Sequence, residues 1–368
     1  MEKVINNTCK IYVDEGYRNL QKSLCEACNV KTIDELNEIY DAYFIICDYN
    51  TYNTQLHELM NHLKGKYIYE YILNPGEDSK SLENYEKIMN YCIKVNLSRK
   101  SLVIALGGGV VGDLAGFVAA TYMRGIDVVQ VPTTLLSQVD SSIGGKTGIN
   151  LGHSKNIIGA FHQPKNVYIN VEALKTLPQK DYLSGMGEVI KYAFIEKNAC
   201  DERLNFMDFL IENYENIMDR KTSTLLNMVK KCAEIKANVV DKDEKEGNLR
   251  KILNFGHTFG HGIEKLCHIS HGEAVSIGMN MAFKLSLEKK LIDEDYYNQF
   301  ISICNKFSLP ITFEYEDVNE IFEIMKNDKK NSFSKINLIL PVGIGRVKLF
   351  DNIEQDLIMK VIKECNNA

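Results

Sequence analysis

The stretch Ser101-Leu-Val-Ile-Ala-Leu-Gly-Gly-Gly-Val-Val-Gly-Asp113 decides the fold class of the chain. Its continuous apolar run predicts a strand buried on both faces of a parallel sheet, and the glycines predict a tight turn into a helix. The pattern Gly107-x-Gly109-x-x-Gly112 is typical of turns that approach a pyrophosphate, with helix amides facing the negative charge. Such turns also serve helix packing alone, so both interpretations stay open. Five glycines and Asp113 within residues 102–123 argue against a membrane-spanning helix.

Further short apolar runs in the first half of the chain extend this pattern. Helical patterns separate the runs, which favours an α/β domain with parallel strands. The predicted strands lie at residues 43–47, 67–73, 101–106, 128–131 and 167–169. We therefore predict an α/β domain over residues 1–178.

The second half of the chain has the pattern of long helices with charged faces. The predicted helices lie at residues 181–198, 220–240, 271–290 and 317–327, and a hairpin is predicted at 336–341 and 346–350. The segment that ends at Pro178 marks the boundary. A mainly α-helical domain is thus expected over residues 179–368.

Charge and cysteine content narrow the function classes. The net charge of −6, from 43 Lys and Arg against 49 Asp and Glu, gives no basic field for nucleic acid or an anionic membrane. Any anionic ligand must therefore be held by local basic residues.

The start of the chain lacks the apolar core of a secretory signal, so we expect a cytoplasmic protein with its ten cysteines reduced. Cys25 and Cys28 could form half a zinc site or a redox pair, but their segment has the pattern of an amphipathic helix.

Histidine clustering predicts a metal site. Four of the eight histidines lie within residues 257–271. His257 and His261 share a helix face as in H-E-x-x-H, but Thr258 stands where a zinc peptidase has its glutamate. A catalytic metal site needs about three nitrogen or oxygen ligands. Glu188 is the best further candidate, because a carboxylate among the apolar residues of 186–192 needs a charge partner.

The hydroxyl-rich stretch at 131–148 directly follows a predicted strand. Gly145-Lys146-Thr147 resembles the end of a Walker A loop, but Asp140 occupies the position of that loop's first glycine, so a P-loop is excluded. Hydroxyls, Asp140 and Lys146 remain at the carboxyl end of a strand, where ligands gather in α/β domains. A capped turn is the purely structural alternative.

Two further features concern the binding of anions and a ribose. A ribose partner for the glycine turn is expected at Asp48, which ends the run 43–47, since Asp127 precedes its strand. Most charges in the mixed run 236–257 are expected on a solvated face. Arg250 and Asn254 lie one helical turn apart and could address a carboxylate or phosphate.

Several blocks of residues, in their order along the chain, resemble the 3-dehydroquinate synthase family of the sugar phosphate cyclase superfamily. Among them are Asn254-Phe-Gly-His-Thr-Phe-Gly-His261 and His271-Gly-Glu-Ala-Val275. The blocks span residues 106–127, 131–150, 155–164, 188–192, 253–261, 271–275 and 328–330. The resemblance implies a Rossmann-like NAD-binding domain, a helical zinc domain, an active site in the cleft between them, and a homodimer. Where the family usually has Leu-Ala before the zinc glutamate, this chain has Met186-Gly187, which we expect to loosen packing.

The resemblance also assigns roles to individual positions. The implied zinc ligands are Glu188, His257 and His271, with cobalt suiting the same set. Implied NAD contacts are Asp48, Glu77, Lys80, Gly108, Gly109, Asp113, Thr133, Thr134, Lys146, Lys155 and Thr176. Implied catalytic and substrate-pocket residues are Arg124, Asp140, Lys146, Asn156, Lys191, Lys236, Glu246, Arg250, Asn254, His261 and Lys329, of which Arg124 would reach a neighbouring subunit.

The implied activity belongs to the shikimate pathway and converts 3-deoxy-D-arabino-heptulosonate 7-phosphate to 3-dehydroquinate and phosphate. In that reaction NAD⁺ transiently oxidises a carbinol, phosphate is eliminated, the ketone is reduced again, and an aldol step closes the ring. The implied partner is thus a small anionic sugar phosphate. The alternatives are another sugar phosphate cyclase, a metal-dependent polyol dehydrogenase, and an NAD-binding protein without turnover.

Overall fold

The computed structural model describes residues 1–5, 9–152, 154–200, 205–326 and 336–368. The chain forms two compact units. The first comprises Met1–Pro178 and Arg220–Ala237, and the second comprises Gln179–Asp219 and Asn238–Ala368. The predicted domain over 179–368 was continuous, whereas residues 220–237 cluster with the first unit.

A seven-stranded sheet forms the centre of the first unit, in the order β1-β2-β9-β6-β5-β3-β4. Strand β1 pairs antiparallel to β2, and the other neighbours are parallel. A separate antiparallel hairpin joins β7 and β8. The strands are β1 (Glu2–Ile5), β2 (Lys10–Asp14), β3 (Ala42–Asp48), β4 (Tyr67–Leu73), β5 (Ser101–Gly107), β6 (Asp127–Pro132), β7 (Lys146–Leu151), β8 (Ser154–Phe161) and β9 (Asn166–Asn170).

Helices cover both faces of this sheet. They are α1 (Leu20–Cys28), α2 (Ile33–Ile39), α3 (Tyr49–Thr51), α4 (His57–Asn61), α5 (Leu82–Lys94) and α6 (Gly109–Thr121), with short 3₁₀ or π turns at Tyr52–Leu56, Glu77–Ser79, Tyr122–Arg124, Ser137–Ser141 and Val171–Thr176. In β3, Tyr43, Ile45 and Cys47 join one buried cluster, whereas Phe44 and Ile46 join the other. Burial on both faces explains the continuous apolar runs of β3 and β5.

The second unit is mainly helical. Its helices are α7 (Gln179–Ala199), α8 (Phe206–Glu212), α9 (Tyr214–Met218), α11 (His257–Cys267), α12 (His271–Glu288), α13 (Glu294–Lys306), α14 (Val318–Lys326) and α15 (Gln355–Cys365), while α10 spans Thr222–Lys242 and a 3₁₀ turn spans Leu249–Asn254. An antiparallel hairpin joins β10 (Leu338–Gly343) to β11 (Arg346–Phe350). Rings of Phe194, Phe283 and Phe300 pack together with centroids 4.5–5.5 Å apart, which joins α7, α12 and α13.

The α/β class is confirmed, and so are the predicted strands and the late hairpin. The predicted helices correspond to α7, α10, α12 and α14, although residue 327 lies outside the described residues. Strands β1, β2, β7 and β8 were not predicted. In the described parts of the chain, no helix is both long and apolar enough to span a membrane. Cys25 and Cys28 lie in α1, as their pattern predicts, and carry free thiols.

Candidate active site

Three helices of the second unit bring a carboxylate and two imidazoles together. Glu188 lies in the middle of α7, and His257 and His271 are the first residues of α11 and α12. Oε1 of Glu188 lies 3.3 Å from Nε2 of His257 and 3.3 Å from Nε2 of His271. The potential ligand atoms of all three residues lie within 4.8 Å of one another. One carboxylate and two imidazoles suit a zinc or cobalt ion that keeps a position open for a ligand.

Lys191 adds a positive charge beside this cluster. It lies one turn after Glu188 on α7, forms an ion pair with it, and donates from Nζ to the carbonyl oxygen of Leu253 at 2.9 Å. Both side chains are buried. Burial by itself raises the pKa of Glu188, but Lys191 and the imidazoles hold that pKa well below its usual value. The carboxylate therefore stays ionised and able to ligate.

The two imidazoles differ in their protonation. Burial lowers the pKa of His257 to about 4, although Glu188 opposes the shift. Burial acts in the same direction on His271, but hydrogen bonds with Glu188 and Glu264 raise its pKa to about 9. His257 is thus neutral near pH 7, whereas His271 carries a proton that a metal ion would displace.

The outer nitrogen of each imidazole also has a partner. Nδ1 of His271 lies 3.1 Å from Oε2 of Glu264, and Nδ1 of His257 lies 3.1 Å from the carbonyl oxygen of Phe255. These acceptors direct Nε2 of each ring towards Glu188, the arrangement usual behind metal ligands. The sequence predictions missed Glu264. Its spacing of seven residues from His257 places both on one helix face and could have indicated it.

The other clustered histidines have different positions. The His261 ring packs edge-on to His257, with centroids 5.6 Å apart, and His261 is not among the three grouped ligands. His268 ends α11 in a left-handed conformation, with φ of 54°. The helical spacing that paired His257 with His261 therefore indicated a shared face but not a shared metal.

Glycines allow the ligand-bearing helices α7 and α12 to approach closely. A Cβ atom on Gly272 would lie 1.8 Å from the carbonyl oxygen of Ser184, and one on Gly187 would lie 2.5 Å from the carbonyl oxygen of Gly272. The expectation that Gly187 loosens packing was therefore wrong, because the glycine permits direct contact between the two backbones.

In the first unit, the glycine turn follows β5 at the carboxyl edge of the sheet. Gly108 precedes the first residue of α6 and provides no side-chain cap. A Cβ on Gly108 would lie 3.0 Å from Cγ2 of Thr134, and one on Gly109 would lie 3.1 Å from Oγ of Ser141. The glycines thus allow close packing against Thr134 and Ser141. Because no side chain caps the start of α6, its backbone N–H groups remain available to an anion.

Several implied nucleotide contacts lie around this turn. Lys80 forms an ion pair with Asp113 on α6, and Glu77 accepts a hydrogen bond from Asn150 Nδ2 at 2.8 Å. Burial raises the pKa of Asp113, although Lys80 opposes the shift. Helix α6 therefore carries a charged pair with Lys80 that the sequence pattern alone did not join.

The predicted ribose partner Asp48 ends β3. Its carboxylate accepts hydrogen bonds from the backbone N–H of Thr51 at 2.9 Å and from Thr51 Oγ1 at 2.8 Å. Thr51 Oγ1 also lies 3.2 Å from the carbonyl oxygen of Leu106, next to the glycine turn. Asp127, at the amino end of β6, accepts from the Tyr40 hydroxyl at 2.8 Å. The structure thus places Asp48, and not Asp127, at the edge with the glycines.

The remaining nucleotide candidates have local partners. Thr133 N donates to Gly107 O at 3.0 Å, and Thr134 Oγ1 accepts from Ser137 N at 3.1 Å, so the capped turn considered above is present. Thr176 Oγ1 accepts from Gln55 Nε2 at 3.2 Å. Lys146 and Lys155 lie exposed on the β7–β8 hairpin.

Substrate candidates form two further groups, one in each unit. In the first unit, Lys236 Nζ donates to Oδ1 of Asp140 at 2.6 Å. In the second, Nδ2 of Asn254 donates to Oε1 of Glu246 at 2.9 Å, and Arg250 is almost fully buried. Arg124, in the turn Tyr122–Arg124, and Asn156, in β8, are exposed and adopt positive φ angles of 70° and 53°. Lys329 lies outside the described residues.

The chain is similar to known proteins over most of its length. The family models for the 3-dehydroquinate synthase N-terminal and C-terminal parts match residues 70–184 and 185–331. The 3-dehydroquinate synthase of Thermoanaerobacter sp. (strain X514) is 46% identical over 343 residues, covering 90% of this chain and 94% of that protein. The 3-dehydroquinate synthase of Ruminiclostridium cellulolyticum is 43% identical over 359 residues, covering 95% and 98%.

A solved structure extends the likeness to three dimensions. The crystal structure of 2-deoxy-scyllo-inosose synthase complexed with carbaglucose-6-phosphate, NAD⁺ and Co²⁺ superimposes with a TM-score of 0.83 at 25% identity, covering 99% of each chain. The likeness in sequence and in fold thus extends over nearly the whole length of the chain. The chain belongs to the 3-dehydroquinate synthase family.

Proposed function

We propose that the chain converts 3-deoxy-D-arabino-heptulosonate 7-phosphate to 3-dehydroquinate and phosphate, with NAD⁺ regenerated in every turnover. The observation that carries this proposal is the buried Glu188 between two imidazoles with Lys191 beside it. A neutral polyol would not require Lys191 or the buried Arg250, so this set favours an anionic substrate. The identity of 46% to a 3-dehydroquinate synthase supports the same assignment.

The metal is proposed to be zinc, held by Glu188, His257 and His271. The site fits, because one ionised carboxylate and two imidazoles with oriented Nε2 atoms form a three-ligand set. When bound, zinc supplies a Lewis acid that lowers the pKa of substrate hydroxyls. The protein's own contribution is to keep Glu188 ionised and to fix both rings from behind through Glu264 and the Phe255 carbonyl. Cobalt suits the same ligands.

The first unit is proposed to bind NAD⁺. The fit rests on the glycine turn, where Gly108 and Gly109 bring backbone against Thr134 and Ser141 and leave the start of α6 without a side-chain cap. When bound, NAD⁺ accepts hydride from a carbinol carbon and returns it. Lys80 and Asp113 present opposite charges beside the turn, and Asp48 is proposed to hold a ribose hydroxyl. The cyclase with NAD⁺ in its solved structure supports this assignment.

Basic residues are proposed to hold the carboxylate and phosphate of the substrate. For this role the second unit offers the buried cations Lys191 and Arg250, and the first unit offers the buried Lys236. The Glu246–Asn254 pair, His261 and the Asp140 carboxylate would orient hydroxyl groups. The remaining proposed contacts are Lys146, Asn156 and Lys329. Holding one substrate in position while charge develops is expected to provide much of the rate acceleration.

The domain roles, location and assembly are part of the proposal. Residues 1–178 would form the NAD-binding domain and residues 179–368 the zinc and substrate domain, with 220–237 packing in the first unit. We further propose a cytoplasmic homodimer in which Arg124, exposed at a turn, serves the neighbouring subunit. Light scattering after size-exclusion chromatography tests the dimer, and the Arg124→Ala variant should lose activity while keeping the wild-type mass.

The direct test mixes purified protein with NAD⁺, zinc and the heptulosonate phosphate, and records phosphate and NADH absorbance together. We expect phosphate release without a lasting rise in NADH. The Glu188→Gln variant should release none, since an amide is a poor replacement for the anionic ligand. As a matched control, Glu288→Gln changes an exposed carboxylate on α12 and should react like the wild type.

Other results would favour other functions. Absence of phosphate release from the wild type would contradict the proposal. A sustained rise in NADH with a polyol would favour a dehydrogenase. Faster phosphate release from a sugar phosphate that lacks a carboxylate would favour another cyclase of the superfamily.

A further inference from the structure

The six residues that connect α10 to the 3₁₀ turn Leu249–Asn254 form a loop around one carboxylate. Oδ1 of Asp243 accepts a hydrogen bond from the backbone N–H of Gly247 at 2.7 Å. Oδ2 accepts from the backbone N–H groups of Asn248 at 2.7 Å and Arg250 at 2.9 Å. The two oxygens of the Asp243 side chain thus accept hydrogen bonds from three backbone N–H groups of the same segment.

This loop has a backbone conformation that needs such support. Glu246 has a φ of 61°, in the left-handed region that residues other than glycine rarely adopt. Its side chain nevertheless has a defined role, since Oε1 accepts from Asn254 Nδ2 at 2.9 Å. A strained residue that carries a proposed substrate contact requires a surrounding structure that determines its position.

Arg250 is fixed by the same segment. Its side chain is 2% exposed, and its Nη1 donates to the carbonyl oxygen of Glu244. Its backbone N–H donates to Asp243. The guanidinium of Arg250 is therefore hydrogen-bonded to Glu244 and its main chain to Asp243, the two residues that directly follow α10. A shift of that loop would move the guanidinium with it.

We propose that Asp243 is a positioning residue, whose carboxylate holds the 243–250 loop so that Arg250 and the Glu246–Asn254 pair face the anionic substrate in fixed geometry. The inference rests on the proposed function. Desolvation by itself raises the pKa of Asp243, but the three N–H donors hold that pKa below its usual value. The carboxylate is therefore ionised at neutral pH. The sequence pattern had placed this residue among solvated charges.

The test compares Asp243→Asn and Asp243→Ala with the wild type, using the heptulosonate phosphate as substrate. Asparagine keeps one carbonyl oxygen but turns an N–H₂ group towards a backbone N–H, whereas alanine removes all three acceptor contacts. We expect kcat/KM to fall by about 10- to 100-fold, more for alanine, because small displacements of positioning groups have effects of this size. The fall should lie mainly in KM, since Arg250 binds the substrate before as well as during the reaction.

Zinc content and NAD⁺ affinity distinguish positioning from general damage, and both should match the wild type. Asp293→Asn is the control, because Asp293 accepts a backbone N–H from Tyr296 at 2.9 Å at the start of α13 in the same unit. It should lower the unfolding temperature and leave KM unchanged.

A KM in Asp243→Asn equal to that of the wild type would overturn the inference, as would a loss of kcat/KM that parallels a loss of zinc content. Should Asp243→Ala fail to fold, the asparagine variant decides alone. A wild type that releases no phosphate would instead overturn the proposed function.

Discussion

Glu264 connects the chemistry of His271 to the rest of the second unit. It accepts from Nδ1 of His271 and leaves Nε2 directed at Glu188. We expect Glu264→Ala to weaken zinc binding by about 10- to 100-fold, the usual cost of losing the partner of a ligating histidine. Competition with a chromophoric chelator measures the dissociation constant without any substrate.

The Glu288→Ala variant provides the control for this prediction, since Glu288 lies exposed on the same helix as His271. Its zinc affinity should equal that of the wild type. An unchanged affinity in Glu264→Ala would mean that His271 is oriented by packing alone.

Protonation of the two imidazoles predicts how metal uptake depends on pH. Between pH 7 and 8, His271 with a pKa of about 9 is protonated and His257 with a pKa of about 4 is not. A metal ion must therefore displace one proton, and its apparent affinity should rise about tenfold per pH unit up to about pH 9. Calorimetry in buffers of different ionisation enthalpy counts the protons. A count of zero or two would contradict the assignment.

Helix packing determines the spacing between the ligands. Helices α7 and α12 approach so closely at Gly272 that a methyl group there would overlap the carbonyl oxygen of Ser184. His271 precedes this contact and Glu188 follows it by one turn on the other helix. The proposed metal centre thus depends on the contact between two backbones that no side chain separates.

We expect Gly272→Ala to destabilise the protein by about 1–3 kcal/mol, the range for overpacking a core, and to lower zinc affinity because the helices must separate. Urea unfolding of the metal-free protein measures the first effect, and chelator competition measures the second. Gly187→Ala should act in the same direction but more weakly, because its Cβ would lie 2.5 Å from the Gly272 carbonyl, compared with 1.8 Å for the Gly272 substitution. Wild-type stability and zinc affinity in Gly272→Ala would refute this account of the crossing.

At the scale of elements, the sequence predicted most of the buried strands, although it missed β2, which is buried from Ile11 to Asp14. Strands β3 and β5 contain long apolar runs because helices cover both faces, and these runs make the strands recognisable in the sequence. The β7–β8 hairpin is largely exposed and contains Lys155, Asn156 and glycines, so no apolar pattern distinguishes it from a loop. Its exposed residues could not be recognised as strands from the sequence alone.

For the molecule as a whole, the site was predictable where chemistry restricts the residue type. The histidine cluster and Glu188 indicated a metal site because few residue types bind zinc, the family resemblance implied Glu188, His257 and His271, and the structure groups these three. Asp243 was not predicted, because a carboxylate that accepts backbone N–H groups looks the same in sequence as one in solvent. Glu264 was missed although its helical spacing from His257 could have indicated it. The segment 220–237 joins the first unit through tertiary packing that its helical pattern does not reveal.

The net charge of −6 can be compared with the cations that the structure buries. The buried cations Lys191, Lys236 and Arg250 lie within a chain that is acidic overall. Burying cations is costly unless each is paired, and Lys191 and Lys236 contact Glu188 and Asp140. Such pairs are consistent with a small anionic substrate, whereas the exterior charge disfavours a polyanion.

The most direct measurement supplies NAD⁺ at a small fraction of the substrate concentration and follows phosphate release to completion. If hydride leaves and returns within each cycle, the phosphate formed should equal the substrate supplied, with no accumulated NADH. Phosphate release that stops at one equivalent per NAD⁺, or NADH that accumulates in step with product, would contradict the account.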